Sequence, residues 1–330
     1  MRDVASAAGV SLKTVSRVVN GEPRVDARTA ARVRQAIAAL GYRPNDVARS
    51  LRRGVRLALI GLLIEDLANP FYAIVAKAVE EVARRCDHAV IMGSSGEDPE
   101  RERELVGDLL ERGVDGLLIV PAEADDVLGA PHLRLGTRAV FLDRAPVGID
   151  ADAVVLDNTR GAREGVEHLI AHGHRRIGFV GDPLRIRTCQ ERLEGYRQAL
   201  DGARLPYDGA LVRLGTYRVD LAEAATRQLL SLADPPTAIF AQNNRNAIGV
   251  LRATRDLGAE IAFVGFDDFE LADMLPMPVT VVSHDPAEMA RAGAELLFAR
   301  LAGDSRPPQR IVIPTRLVAR GSGEIVRVTG

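Results

Sequence analysis

The chain has 330 residues, 47% hydrophobic and 4% aromatic, which is room for a small head and about two further domains. No apolar run approaches the roughly 18 residues that span a bilayer, and no charged start leads into an apolar export signal. A cytoplasmic chain with no membrane partner is therefore expected. The formal charge of −2 conceals an asymmetry: residues 1–56 hold 12 Lys or Arg against four acids, net +8, while the remainder carries 31 against 41, net −10. A basic head on an acidic body is the electrostatic footprint of a nucleic-acid-binding domain.

In chain order, Val4, Ala5 and Ala8 share one side of a short helix that stops at Gly9. Ser11 is an N-cap for a second helix, in which Val15 and Val18 face inward and Leu12, Lys13, Ser16 and Arg17 face outward. A third helix starts at Asp26, buries Val33, Ile37 and Leu40, and ends at Gly41. Two short helices around a Gly-containing turn form a helix-turn-helix, whose second helix enters the major groove. Arg17 and Lys13 can donate to guanine edges, and Leu12 can lie on a thymine methyl. Ser11, Thr14, Ser16 and Asn20 are short donors suited to phosphates. The competing reading is a plain three-helix bundle with a solvated polar face; the charge asymmetry disfavours it.

The run Asp3-Val4-Ala5, Ala8-Gly9-Val10-Ser11 and Thr14-Val15-Ser16-Arg17-Val18-Val19-Asn20, then Gly41-Tyr42-Arg43-Pro44-Asn45 and Ala48-Arg49-Ser50-Leu51, resembles the LacI/GalR family of transcription regulators. The match is ungapped through the head and looser beyond it. The resemblance implies that Leu12, Lys13 and Arg17 read bases, and that Ser11, Thr14, Ser16, Asn20, Arg24, Thr29 and Tyr42 touch the DNA backbone. Family members usually carry a few residues before this point, whereas here helix 1 would begin almost at Met1; either the true start lies upstream, which is the expectation, or DNA is bound somewhat less tightly.

Pro44-Asn45 opens a segment, 46–52, long enough for about two helical turns, which is unstable alone in water. It should order only when two copies pack on DNA. By resemblance these paired helices enter the minor groove, with Leu51 as wedge and Asn45 and Ala48 beside it. A flexible basic linker is the alternative.

From residue 57 short apolar runs alternate with helix-period segments. Strands are expected at 57–64, 89–92, 116–120, 139–142, 176–180, 238–240 and 262–264, with helices between them. Such alternation means an α/β core of parallel sheets covered by helices on both faces. The pattern restarts near residue 157, giving two lobes with a cleft where strand ends meet. The helix at 286–301 and strands at 311–313 and 316–320 are return crossings. The expected domains are a helix-turn-helix head at 1–44, a hinge at 45–56 and an effector-binding core at 57–330. Lobe 1 takes about 57–157 and 285–314; lobe 2 takes about 158–284 and 315–330. This resembles a type I periplasmic sugar-binding protein.

By the same resemblance, Phe71, Tyr72, Ser94, Asp143, Arg144, Thr188, Arg192, Phe240, Asn244 and Asp267 line an effector cleft. Their chemistry suits a polyol: carboxylates and an amide accept, Arg192 is a forked donor, and Phe71, Tyr72 and Phe240 are apolar walls. Arg192 also fits an ordinary surface i,i+4 pair, and each carboxylate singly fits a solvated loop. Ile186 stands where purine-binding relatives use Arg, and Asn244 where many sugar-binding members carry Asp. The expected effector is a neutral sugar, a sugar acid or a related metabolite.

The chain ends without an apolar heptad repeat, so a homodimer on double-stranded operator DNA is expected. No cofactor or metal is implied. Cys86 and Cys189 are too few for a disulfide framework, and His168, His172 and His174 are expected to satisfy carbonyls at a helix end. No nucleophile–base motif or phosphate loop suggests an enzyme. The remaining alternatives are a regulator with a vestigial cleft and a solute-binding protein.

Overall fold

A computed structural model of the chain describes residues 1–19, 22, 24–41, 58–123 and 137–326. The expectations placed on Asn20, Tyr42, Asn45, Ala48 and Leu51 lie outside the described residues. The chain divides into two compact units, 1–57 and 58–330.

In the first unit α1 (Arg2–Ala8) ends at Gly9, whose φ of 62° is the left-handed turn that glycine adopts at little cost. α2 (Leu12–Val19) starts where Ser11 Oγ accepts from the Thr14 backbone N–H at 3.1 Å. At α3 (Ala27–Ala39) the Asp26 carboxylate accepts from the amides of Arg28 and Thr29. Val4, Ala5, Ala8, Val15, Val33 and Ala36 form the core, and the small alanines let the helices cross closely. Leu40 corrects the sequence reading: it caps α3 and is 50% exposed, while Ala36, one turn earlier, takes the inward position.

The second unit contains two six-stranded sheets. β1 (Leu59–Ile64), α4 (Pro70–Arg85), β2 (Ala89–Ser94), α5 (Pro99–Glu111), β3 (Gly116–Ile119), β4 (Arg138–Asp143) and β5 (Asp152–Leu156) build most of the first. After α6 (Asn158–Ala171) come β6 (Ile177–Val180), α7 (Arg187–Gly202), β7 (Val212–Arg213), α8 (Val219–Leu230), β8 (Ala238–Ala241), α9 (Asn244–Leu257), β9 (Ala262–Phe266) and β10 (Thr280–Ser283). The chain then returns through α10 (Pro286–Leu301) to β11 (Arg310–Ile313), and crosses again to β12 (Arg316–Val318).

The sheet orders are β11-β5-β4-β3-β1-β2 and β12-β10-β9-β8-β6-β7, so each strand has a counterpart in the other lobe. All pairings are parallel except β12 on β10, which is antiparallel. β5, β7 and β10 were not foreseen. β7 is only two residues long, and β5 opens on Asp152 rather than on an apolar residue. Helices cover both faces of each sheet, so strand interiors such as Ile60, Leu62, Phe141 and Phe240 are fully buried. The consequence for function is positional: only residues just past the strands' C-terminal ends can reach a ligand.

Glycine sets the spacing at one crossing. A Cβ on Gly195 of α7 would stand 2.2 Å from the Thr159 carbonyl oxygen of α6. No helix among the described residues is long and apolar enough to cross a membrane.

Candidate functional site

On the head, Leu12 and Lys13 project to solvent from the first turn of α2, Leu12 being 45% exposed. Arg17 follows on the same helix and lies 3.7 Å from the Glu22 carboxylate. The Ser11 and Thr14 hydroxyls hydrogen-bond each other at 3.0 Å at the helix start. Thr29 sits at the start of α3 with its amide on Asp26, and Arg24 is exposed just before that helix. These residues give the head a donor-rich surface around the N-terminal end of α2.

In the core, one cavity lies between the lobes at the strands' C-terminal ends. Glu65, Asn69, Phe71, Tyr72, Asp143 and Arg144 come from the first lobe, and Asp182, Thr188, Arg192, Gln242, Asn243, Asn244, Arg245 and Asp267 from the second. Its free volume is about 30 Å³, because the lobes are drawn together. Asn244 Nδ2 donates to Asn69 Oδ1 at 2.8 Å, Arg245 pairs with Asp66, and Arg185 donates to the Glu97 carbonyl at 3.2 Å. Effector entry therefore requires these cross-lobe contacts to part.

Asp143 and Asp267 occupy matching places at the ends of β4 and β9, and both have positive φ, 64° and 66°. For a non-glycine residue this is an uncommon conformation, retained where surrounding structure dictates it. Here it ends two topologically equivalent strands facing one cleft. The two carboxyls nevertheless titrate in opposite directions. Burial pushes Asp143 up, because Arg144, with Nε 3.6 Å away, only partly offsets the loss of water. Burial also disfavours the Asp267 anion, but Arg192 and the hydrogen bond from His284 outweigh it and hold Asp267 below the ordinary carboxylate range.

Arg192 is buried rather than part of a surface pair. Its Nε donates to Asn158 at 2.8 Å, one Nη to the Gln242 carbonyl at 2.6 Å, and its guanidinium lies 3.8 Å over the Phe266 ring. Arg144 forks onto Glu97 at 2.9 and 2.7 Å and also donates to the Pro121 carbonyl. Tyr72 donates its hydroxyl to Glu65 at 3.0 Å.

Of the residues proposed for the cleft, Phe71, Tyr72, Asp143, Arg144, Thr188, Arg192, Asn244 and Asp267 are brought together. Phe240 is not. It lies inside β8, stacked on Phe179 at 6.0 Å and pressed toward Gly165, so it belongs to the core. Ser94 ends the edge strand β2, and its hydroxyl donates to the Glu65 carbonyl, so it supports the β1 end instead of lining the cavity. Glu65, Asp182, Gln242 and Arg245 were missed. The only sequence signal of Glu65, Asp182 and Gln242 is their place one or two residues beyond a strand, which requires knowing where the strand ends, and Arg245 stands in the first turn of the helix that follows β8.

Of His168, His172 and His174, His172 meets a helix-end carbonyl, that of His168. His168 pairs with Glu324, and His174 joins Thr237 to the Ile325 carbonyl.

A helix-turn-helix joined to a two-lobed core with a polar interlobe cleft defines a class of DNA-binding proteins fitted with a receptor for a small molecule. The model of bacterial regulatory proteins of the lacI family matches residues 1–45, and that of a periplasmic binding protein-like domain matches residues 166–323. The chain is similar to the HTH-type transcriptional regulator CelR of Thermobifida fusca, 36% identical with 97% of both chains covered. It is 32% identical to the ribose operon repressor of Escherichia coli K12 over 98% of this chain and 99% of that one. Among solved structures, the CelR–cellobiose complex has a TM-score of 0.74 at 33% identity, covering 97% of this chain and 98% of that one. The lac repressor dimer bound to operator and an anti-inducer has a TM-score of 0.78 at 29% identity, with 97% and 98% covered. The chain belongs to the LacI family of bacterial transcription regulators.

Proposed function

We propose that this protein is a cytoplasmic, non-enzymatic repressor that binds a palindromic operator as a homodimer and is controlled by a sugar-like effector held between the core lobes. The observation that carries the effector role is the convergence of Asp143, Arg144, Arg192, Asn244 and Asp267 from both lobes on one closable cleft. A ligand that binds one separation of the lobes better than another shifts their equilibrium by that difference in affinity.

Leu12, Lys13 and Arg17 read base edges in the major groove, while Ser11, Thr14, Ser16, Arg24 and Thr29 hold phosphates. Asn20 and Tyr42 are proposed as further phosphate contacts, and Asn45, Ala48 and Leu51 as the minor-groove elements. Dimerisation is supported by an apolar groove of about 730 Å³ in the second lobe, lined by Leu251, Ile261, Phe263, Phe269 and Leu275. Beside it Met274 is 76% exposed. Apolar surface of this kind marks interaction sites.

The test is retardation of palindromic fragments from the protein's own locus at increasing salt. Affinity should fall with a log–log slope of about −0.9 per phosphate neutralised, and an effector should change retention. Failure to retard any such fragment, even in dilute buffer, ends this reading.

A further inference from the structure

The cleft carries more carboxylates than its cations can neutralise. Arg144 is committed to Glu97, Arg245 to Asp66, and Arg192 lies 3.7 Å from Asp267. Glu65, Asp143 and Asp182 have no cation of their own and share Arg144, Arg192 and Arg245 with those partners, the nearest approach being Arg144 Nη at 3.5 Å from Glu65 and Nε at 3.6 Å from Asp143.

The hydrogen-bond inventory points the same way. Asp182 is 6% exposed, and its Oδ2 accepts from Gln242 Nε2 at 2.7 Å and Asn243 Nδ2 at 2.8 Å. Its Oδ1 is buried with no partner among the described residues, and so is Oε1 of Gln242. Both residues line the cavity. Both atoms can only accept at neutral pH, whereas the unpartnered buried donor in the cleft is Arg144 Nε. Buried acceptors left unmatched are costly, so a ligand that fills the cleft must donate more hydrogen bonds than it accepts.

We infer that the effector is an uncharged, hydroxyl-rich molecule that donates to Asp182 and Gln242, and that the cleft rejects the corresponding sugar acids and sugar phosphates. This inference rests on the effector-binding role proposed above and decides between the neutral and acidic sugars that the sequence left open. A carboxylate or phosphate cannot donate to Asp182, and it places another negative charge beside carboxylates already removed from water. The cleft resists such charge even without a ligand. Burial and the neighbouring Glu97 carboxylate push Glu65 up to about 8 and Asp182 up to about 6.

Calorimetry on the full-length chain at neutral pH tests the inference. The probes are D-ribose, D-glucose and cellobiose, set against ribonate, gluconate, cellobionate and glucose 6-phosphate. At least one neutral sugar should bind, with its acid or phosphate weaker by about 100-fold or more. Asp182→Asn, its fold checked by thermal melting, should narrow that ratio by about tenfold through tighter binding of the acid. An acid or phosphate within tenfold of its neutral partner overturns the charge rule while leaving the cleft a receptor. A ratio unchanged in Asp182→Asn overturns the assignment to that carboxylate. Silence from every probe removes a sugar effector, and the inference with it.

Discussion

Replacing Gly195 by alanine sets two effects of known size against each other. In a helix interior, Gly to Ala is normally favourable by about 1 kcal/mol, because alanine loses less backbone freedom on folding. At Gly195 the new Cβ would stand 2.2 Å from the Thr159 carbonyl oxygen, 2.9 Å from the Arg163 amide nitrogen and 2.9 Å from Ala162 Cβ. Two of these neighbours are backbone and cannot rotate away, so α6 and α7 must separate by about 1 Å to restore ordinary contact. Overpacking of this kind costs about 1–3 kcal/mol or more, and direct collision with backbone places Gly195 at the upper end. The net loss is about 2 kcal/mol, which lowers the melting temperature by about 4–8 °C in a core of this size. Because α7 carries Thr188 and Arg192 into the cleft, effector affinity should fall as well. Gly107 in α5 is the control: nothing lies within 4 Å of its Cβ position, so Gly107→Ala should stabilise by about 0.5–1 kcal/mol. Scanning calorimetry on both variants decides the matter. A Gly195→Ala protein that melts at or above the wild-type temperature would refute the tight crossing.

Further outcomes follow from the same geometry. Arg192→Met leaves the buried Asn158 amide oxygen and Gln242 carbonyl without their donor and takes the neighbouring guanidinium from Asp267, which keeps only its His284 side-chain hydrogen bond, so thermal denaturation should register a loss of about 3–5 kcal/mol, together with lost effector binding. Arg245→Ala removes a partly exposed cross-lobe pair and should change stability and effector affinity by no more than about 1 kcal/mol; equal effects from the two variants would contradict this ranking. The Glu65 carboxyl has a folded value of about 8, above its ordinary 4.5, so the folded chain keeps a proton that the unfolded chain releases. Its contribution is most favourable at acid pH and is lost as pH rises from about 4.5 through 8. The melting temperature of Glu65→Gln should therefore climb relative to wild type between about pH 5 and pH 9, and a constant offset would show that Glu65 is not proton-linked. On the head, Arg17→Ala should cost about 1–3 kcal/mol on the operator and less on random DNA, whereas loss of a phosphate contact should weaken both alike, as retardation assays can separate.

How much of this was legible in the residues depends on the range of the forces concerned. Capping and turn chemistry act over three or four residues, so Gly9, Ser11 and Asp26 marked the head's helices before any coordinates did. The period of the apolar runs likewise announced parallel sheets between helices, since a strand covered on both faces must be apolar throughout. Motifs resembling those of a known family located Asp143, Arg192 and Asp267. What they could not provide was the end of each strand. Phe240 lies two residues before Gln242, yet the first is sealed inside the second lobe and the second reaches the cleft.

The linear chain thus determined the class of fold, the basic reading head and half of the cleft, because local propensity and hydrophobic period are written into neighbouring residues. Only the tertiary structure decided that Asp182, more than a hundred residues from Glu65 along the chain, lies near enough to raise the proton affinity of Glu65. Charge acts through space, and in a site closed off from water a carboxyl's behaviour is set by groups that no spacing along the chain connects.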